Sequence, residues 1–560
     1  LSSVDGPAFP RLPAVAVVLV TVIAVLAVRL VYLGTIAASE MPADTPKFSL
    51  HAQRGSMWDR SGNVLATERY AFDVYVAPNE VNDGAGFAAS VAPVLGRDVA
   101  DIEAAVADHS LRWVSLEREV PMATARVLRE LGLTGLHLQR NARRAYPLGA
   151  DAAHLTGFVD IDGNSHYGLE EWYEDYLRGR PGNYAGNFGS DPRAFRAPVD
   201  GSDLILSIDR TIQVAAAKLL REAVERESAT GGTAIVVDPG TGEILASASV
   251  PSYDPTDYAH ADPEWYRDPA VSALYEPGSV MKAVTVAAAL DRGAVPPGWT
   301  YHDEASIEVA GLEISNWDRA AHGTVTLTDL LRLSLNVGAV HVAQALGADR
   351  FYEALAEFGF GSATGVDLAE EAVGIVRWPD SEANWFEGYL ATNSFGQGIA
   401  TTPMQVVAAI AAIANEGLLM RPHLVSEVIA ADGSVRRVRP QPVRQVISAQ
   451  TAHQTIRMLE EVVSGKVEQA NVPGYSVAGK TGTSEIPTAD GYEKHATIAS
   501  FVGIVPSSRP RLVILVKLDR PDSARGSEAA APVFREIAQV ALDVLEIPPD
   551  QPLDSQTEGR

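Results

Sequence analysis

Two short stretches carry side chains whose types and spacing permit acyl-transfer chemistry. In Glu276-Pro277-Gly278-Ser279-Val280-Met281-Lys282, the Pro-Gly pair ends one segment and residues 280–290 read as a helix closed by Gly293. Ser279 then sits at a helix N-terminus, and Lys282, one turn on, lies on the same face. A serine hydroxyl is a poor nucleophile until a base removes its proton. Lysine serves as that base only when its pKa is lowered, since at about 10.4 fewer than about one in a thousand side chains are neutral at pH 7. The helix dipole and a second nearby cation both push in that direction. Without them the pair is a serine N-cap with an incidental surface lysine. The second stretch, Ser334-Leu335-Asn336, follows a helical run at 327–333. Its hydroxyl suits proton relay and its amide suits gripping a peptide bond; alone, such a triplet equally marks a helix end.

Lysine usage sharpens the reading. Only 7 of 45 basic residues are lysine, and of these only Lys282 has a serine three residues before it. Arginine never deprotonates in a protein, so it cannot replace a lysine base. A third stretch, Val477-Ala478-Gly479-Lys480-Thr481-Gly482-Thr483-Ser484, resembles the Lys-Thr-Gly motif of penicillin-interacting serine enzymes, which in that family lies on a strand edging the active site. On that resemblance Lys480 supplies the second cation, and Thr481 and Thr483 bond a substrate carboxylate. Gly482 leaves room for a substrate strand to pair with the edge. The other readings are a glycine-rich turn with an exposed lysine, and a phosphate loop, which we set aside on the expectation that the spacing of Gly474 and Gly479 before Lys480 does not fit G-x-x-x-x-G-K-[ST].

The order Ser-x-x-Lys, Ser-x-Asn, Lys-Thr-Gly within one domain is the set of the penicillin-binding serine enzymes, with Leu335 in the middle position where Ser-Asp-Asn has aspartate. The chain resembles the class B penicillin-binding proteins over nearly its whole length. Arg54-Gly55-Ser56-Met57-Trp58-Asp59-Arg60 and the residues to Ala66 match the opening of that family's non-catalytic domain; Tyr146-Pro147, Gly157 and Gly168-Leu169-Glu170 match later marks. Phe395-Gly396-Gln397-Gly398, Thr402-Pro403 and Gln405 match a segment between the second and third motifs. Arg54, Asp59 and Arg60 are structural in the family. The resemblance implies a peptidoglycan D,D-transpeptidase. Ser279 attacks a D-Ala–D-Ala carbonyl with Lys282 as base. Asn336 grips the peptide, and Ser334 and Lys480 pass the proton to the leaving D-Ala. The backbone N–H groups of Ser279 and Thr483 form the oxyanion hole. β-Lactams act as covalent inhibitors, and the implied mechanism needs no metal or organic cofactor.

These residues must be positioned by a chain of 560 residues, long enough for several domains. Its net charge of −26 argues against a nucleic-acid partner. With no cysteine, thiol catalysis and disulfide scaffolds are excluded. Residues 12–36 are apolar apart from Arg29 and long enough to cross a membrane, which favours a retained anchor over a cleaved signal peptide. Positive-inside logic leaves a short cytoplasmic tail, 1–11, and places the rest outside the cytoplasmic membrane. The expected fold is α+β. After the single transmembrane helix comes a mixed α/β pedestal over 37–200. The transpeptidase domain follows over 201–546, an antiparallel sheet drawn from its two ends and flanked by helices, with a disordered tail over 547–560. Strands are expected at 72–76, 204–208, 233–237, 243–249, 499–505 and 512–518, and helices at 121–132, 168–177, 209–227 and 531–545.

A serine β-lactamase shares the three motifs, but no Glu-x-x-Leu-Asn follows Asn336. A β-lactam sensor needs a cytoplasmic output that a tail of about eleven residues has no room for. The residues flanking Ser334-Leu335-Asn336, Val337 and Gly338, resemble the division type more than the elongation type. Family resemblance further implies a polytopic glycan polymerase of the shape, elongation, division and sporulation family as partner. Because a neutral amine is required, Lys282→Arg is expected to abolish penicillin labelling although charge and length survive. Undiminished labelling would show that Lys282 is not the base.

Overall fold

The computed structural model describes residues 11–35, 47–185, 195–380, 385–488 and 491–552. By contacts the chain forms two compact units. One comprises residues 1–52 and 180–200, the other 53–179 and 201–560. In the smaller unit a helix runs over Arg11–Thr35, where the apolar stretch predicts one. Among the described residues no helix is long and apolar enough to cross a membrane. A three-stranded sheet of Lys47–Leu50, Gly182–Ala185 and Phe195–Arg196 completes this unit.

In the larger unit, one seven-stranded sheet joins segments from both sides of residue 200. Met57–Trp58 pairs antiparallel with Val64–Val76 and parallel with Asp203–Leu206, which in turn pairs with Val425–Ile429. Residues 53–179 therefore share a unit with the later chain. The strand expected at 72–76 is the end of a thirteen-residue strand, Val64–Val76, pairing with Leu136–Ala145 over most of its length. The helix expected at 168–177 is two short ones, Gly168–Trp172 and Glu174–Leu177, interrupted at Tyr173.

Below them lies a buried ionic network. Glu170, fully buried, is 2.6 Å from Arg54 and 2.7 Å from Arg144, and Arg54 also reaches Glu174 at 2.7 Å. Asp59 instead closes its own loop, accepting from the Ser61 and Asn63 N–H groups, and it also accepts from the Arg210 N–H at the start of the helix Arg210–Arg226. Arg54 and Asp59 thus hold backbone and charge in place, while Arg60 is exposed.

The second sheet positions the motifs. Its five antiparallel strands run in the order Ile244–Val250, Gly231–Val237, Leu512–Asp519, Gly491–Val505, Ala478–Thr488. The two ends of the later chain thus meet in its middle, as Val237 faces Val513 and Gly231 faces Asp519. The central strands are almost uninterrupted β-branched and apolar residues, which suits strands covered on both faces. Helix Arg210–Arg226, capped by Asp209, packs on the sheet together with Ala531–Val544. The helix Pro403–Ala414, apolar apart from Gln405 of its Thr402–Gln405 capping box, is wholly buried and also contacts the sheet. The chain stays ordered past the expected end. Ile547 is buried, its carbonyl accepts from Tyr475 at 2.6 Å, and Asp550 accepts from the Ser476 N–H at 2.8 Å. Residues 553–560 lie outside the described residues.

Removing one carboxylate from a buried network leaves its cations without compensation, which typically costs about 3–5 kcal/mol. Glu170→Ala is accordingly expected to lower the melting temperature by several degrees. An unchanged melting curve would refute the role given to this network.

Candidate active site

The nucleophile turn is held from three sides. Tyr275 exchanges backbone hydrogen bonds with Thr401, and the Gly278 N–H donates to the Gly396 carbonyl at 3.1 Å. Glu276 accepts from the Gly398 N–H at 2.8 Å and from the Tyr492 hydroxyl at 3.2 Å, and burial pushes its carboxyl pKa up. Gly278 has φ +56°, and a Cβ there would stand 2.6 Å from the Thr483 carbonyl oxygen. Only glycine meets both conditions. A 3₁₀ turn, Gly278–Val280, then opens the helix Met281–Asp291, so Ser279 is half-buried one turn ahead of Lys282.

Lys282 is completely buried in a helix whose other side chains are almost all apolar. Its Nζ lies 2.9 Å from Ser279 Oγ, 2.7 Å from the Ser334 carbonyl oxygen, 2.8 Å from Asn336 Oδ1 and 3.2 Å from Ser334 Oγ. Ser334 delivers its carbonyl because it ends the helix Leu327–Leu333 in the left-handed conformation, φ 56° and ψ 46°. Such a conformation is uncommon for a non-glycine residue and clusters at functional sites. Asn336 begins the next helix, and its Nδ2 donates to the Ser315 carbonyl at 3.0 Å, which fixes which end of the amide faces the lysine. Leu335 between them is fully buried in the core. The middle position of this motif is a packing residue here.

The edge strand brings the third group. Lys480, also buried, donates to Ser334 Oγ at 3.0 Å and to the Thr481 carbonyl at 3.1 Å. Ser334 Oγ therefore bridges the two lysines. Burial brings Lys480 down to about 7, and burial together with the Lys480 charge holds Lys282 well below the ordinary lysine range. Two ammonium groups sharing one hydroxyl cannot both stay charged at low cost. With Lys282 neutral, its two N–H bonds go to Ser334 O and Asn336 Oδ1, and its lone pair accepts from the Ser279 hydroxyl. Thr481 and Thr483 face the cleft beside these groups. Gly482 points the other way: a Cβ there would collide with Ser500 Oγ and stand 2.9 Å from the Pro277 carbonyl. Its missing side chain lets the strand close on the nucleophile turn, so the expectation of room for a substrate strand is corrected. The strand itself is the last of the sheet, so its outer edge is free.

All eight predicted site residues therefore meet around one cleft of about 680 Å³, with Lys282, Lys480 and Gly482 behind its wall. Sequence reasoning missed other groups that line it, among them Trp317, Arg332, Lys466, Glu485 and Arg525. Trp317 Nε1 donates to the Leu333 carbonyl at 2.9 Å, and the Arg525 guanidinium lies 5.4 Å from its ring centre. Of these only Lys466 carried a signal, as one of seven lysines. The phosphate-loop reading fails on backbone and not on spacing. Gly474, Gly479, Lys480 and Thr481 do fit G-x-x-x-x-G-K-[ST], but the chain runs from Ala478 to Thr488 as a strand, where a phosphate loop leads into a helix.

A serine beside a buried, deprotonable lysine, with a second lysine relayed through a hydroxyl, defines a serine acyl-transfer enzyme. The comparisons with known proteins specify it further. The family profile described as penicillin binding protein transpeptidase domain matches residues 232–539, and that of the penicillin-binding protein dimerisation domain matches 49–191. The chain belongs to the class B penicillin-binding proteins. It is 34% identical to stage V sporulation protein D of Bacillus subtilis, over 89% of this chain and 79% of that one. It is 30% identical to peptidoglycan D,D-transpeptidase FtsI of Escherichia coli K12, over 93% and 90% of the two chains. The crystal structure of penicillin binding protein 3 of Mycobacterium tuberculosis, complexed with aztreonam, superimposes with a TM-score of 0.71 at 29% identity, covering 90% of this chain and 99% of that one.

The two lysines set opposite pH limits. With Lys282 as the base, acylation requires it neutral and its rate rises with pH as that amine loses its proton. With Lys480 as the cation of the relay, the rate falls as pH passes about 7. The second-order rate constant for penicillin acylation should follow a bell with its descending limb above neutrality. A rate still climbing at about pH 10, where an unperturbed lysine titrates, would contradict the assignment.

Proposed function

We propose that this chain is a membrane-anchored peptidoglycan D,D-transpeptidase that crosslinks stem peptides through an ester on Ser279. The observation carrying this reading is the 2.9 Å contact between Ser279 Oγ and the fully buried Lys282 Nζ. Lys282 takes the hydroxyl proton as Oγ attacks the penultimate D-Ala carbonyl, while the Ser279 and Thr483 N–H groups receive the developing oxyanion. The proton passes through Ser334 Oγ, 3.2 Å from Lys282 and 3.0 Å from Lys480, to the leaving D-Ala nitrogen. Asn336 holds the peptide amide and Thr481 and Thr483 the terminal carboxylate. An amine from a second stem then attacks the ester, its proton returns along the same path, and Ser279 is released. A β-lactam enters by the same first step, and its ring nitrogen stays tethered.

The apolar stretch 12–36 supports a single anchor in the cytoplasmic membrane with the catalytic domain outside, and a glycan polymerase of the shape, elongation, division and sporulation family is the partner family membership favours. The residues flanking Ser334-Leu335-Asn336 favour a role in septal wall synthesis; an elongation role is the second reading. The relative named for sporulation keeps a developmental role in view for that protein.

An intact-mass time course with benzylpenicillin, wild type beside Ser279→Ala, tests the central claim. The expected result is a one-drug adduct on the wild type that persists for many minutes and is absent from the variant. An adduct that disappears as penicillin is consumed would make the chain a β-lactamase. An adduct surviving in Ser279→Ala would move the nucleophile elsewhere.

A further inference from the structure

The cleft carries charge unevenly along the edge strand. Its lining holds three cations, Arg332, Lys466 and Arg525, and two carboxylates, Glu528 and Glu485; Arg332 and the neighbouring Lys466 lie close in sequence or space to Ser334, whose Oγ is 3.0 Å from Lys480, while Glu485 lies four residues along the strand from Thr481. That separation is about 13 Å at the usual strand rise. The three cations are not equivalent. Arg332 is 2.8 Å from Asp329, and Arg525 is 3.6 Å from Glu528, so both are partly neutralised. Lys466 is exposed and has no ion pair among the described residues. It ends the helix Ala449–Lys466 next to Arg332, whose Cδ lies 3.1 Å from where a Cβ on Gly465 would be. It is also one of only seven lysines in a chain of net charge −26.

That net charge matters because the substrate proposed above ends in a carboxylate. A protein of charge −26 repels an approaching anion, and an unpaired cation at the cleft rim is what offsets the repulsion locally. We propose that Lys466 is a specificity-determining residue that steers the terminal carboxylate of the donor peptide into the Thr481 end of the cleft, and by the same field steers the carboxylate of β-lactams. The polarity fixes direction as well as rate. The anionic terminus settles toward Lys466, and the incoming amine of the second peptide, which approaches as a cation, is favoured on the Glu485 side. This inference rests on the transpeptidase reading of the site. Lys466 itself touches none of the reacting atoms in that scheme, so it acts on encounter and leaves the bond-making step alone.

The test is the second-order rate constant for acylation by benzylpenicillin at low and at high salt. It compares wild type, Lys466→Met, Lys466→Glu and Lys218→Glu. Lys218 lies on the helix Arg210–Arg226, paired with Glu222, and changing it alters the total charge by the same amount without touching the cleft. Reversing one charge at about 10 Å in a water-like dielectric corresponds to about a fourfold change in encounter. Lys466→Glu should therefore acylate about fourfold more slowly at low salt, with Lys466→Met about twofold slower, and the gap should close at high salt as screening takes over. Lys218→Glu should match wild type. Equal rates and equal salt slopes for wild type and Lys466→Glu would overturn the proposal, as would an equal loss in Lys218→Glu, which would make the effect global. A wild type that forms no adduct at any salt would overturn the acyl-enzyme reading itself, and this one with it.

Discussion

The structure depends on keeping one amine nitrogen dry. Lys282 Nζ is reached by a hydroxyl, a carbonyl and an amide oxygen that come from three different helices, and no water-facing surface remains to it. In bulk water such a lysine would hold its proton and be useless as a base. Buried beside a second cation, it is more stable without one. Everything nearby serves that condition. The helix that carries Lys282 is otherwise apolar on almost every side, which is unusual for a surface-type amphipathic helix and natural for one threaded through a core.

Keeping the nitrogen dry while leaving Ser279 accessible is a packing problem, and small residues solve it. Gly278, Gly396 and Gly482 come from three separate segments, and each lacks the Cβ that would strike the backbone or side chain of another. They allow the nucleophile turn, the segment after Asn393 and the edge strand to close to near-backbone contact. Stability is spent elsewhere, in the left-handed Ser334 and in two desolvated lysines. The five-stranded sheet and its wholly buried helix Pro403–Ala414 supply the surplus.

Much of this was legible in the sequence because the chemistry has a local signature. The three-residue spacing of Ser279 and Lys282 is set by helix geometry, and Asp209 and Pro-Gly mark boundaries by known backbone preferences. The sheet drawn from both ends of the later chain followed from apolar, β-branched runs at 233–237 and 512–518. What could not be read is of another kind. Whether Gly482 serves substrate or packing depends on Ser500 and Pro277, which are far apart in sequence. Tyr173 splitting a short helix, and a sheet uniting residues on either side of position 200, are tertiary outcomes with no local period. Lys466, Trp317 and Arg525 enter the cleft from three unrelated segments, and only the folded chain puts them around one space.

The places where the chain passes between its two units also have a mechanical meaning. The Gly201 N–H donates to the Gln53 carbonyl at 2.8 Å, the Gly55 N–H to the Leu177 carbonyl at 2.8 Å, and the Ser202 N–H to the Tyr176 carbonyl at 2.7 Å. Three passes of the chain are thus laced together at one spot, and a Cβ on Gly55 or Gly201 would strike the backbone of a neighbouring pass. A pull on the chain ahead of Gln53 therefore meets these hydrogen bonds side by side, next to where Met57–Trp58 and Asp203–Leu206 enter the seven-stranded sheet.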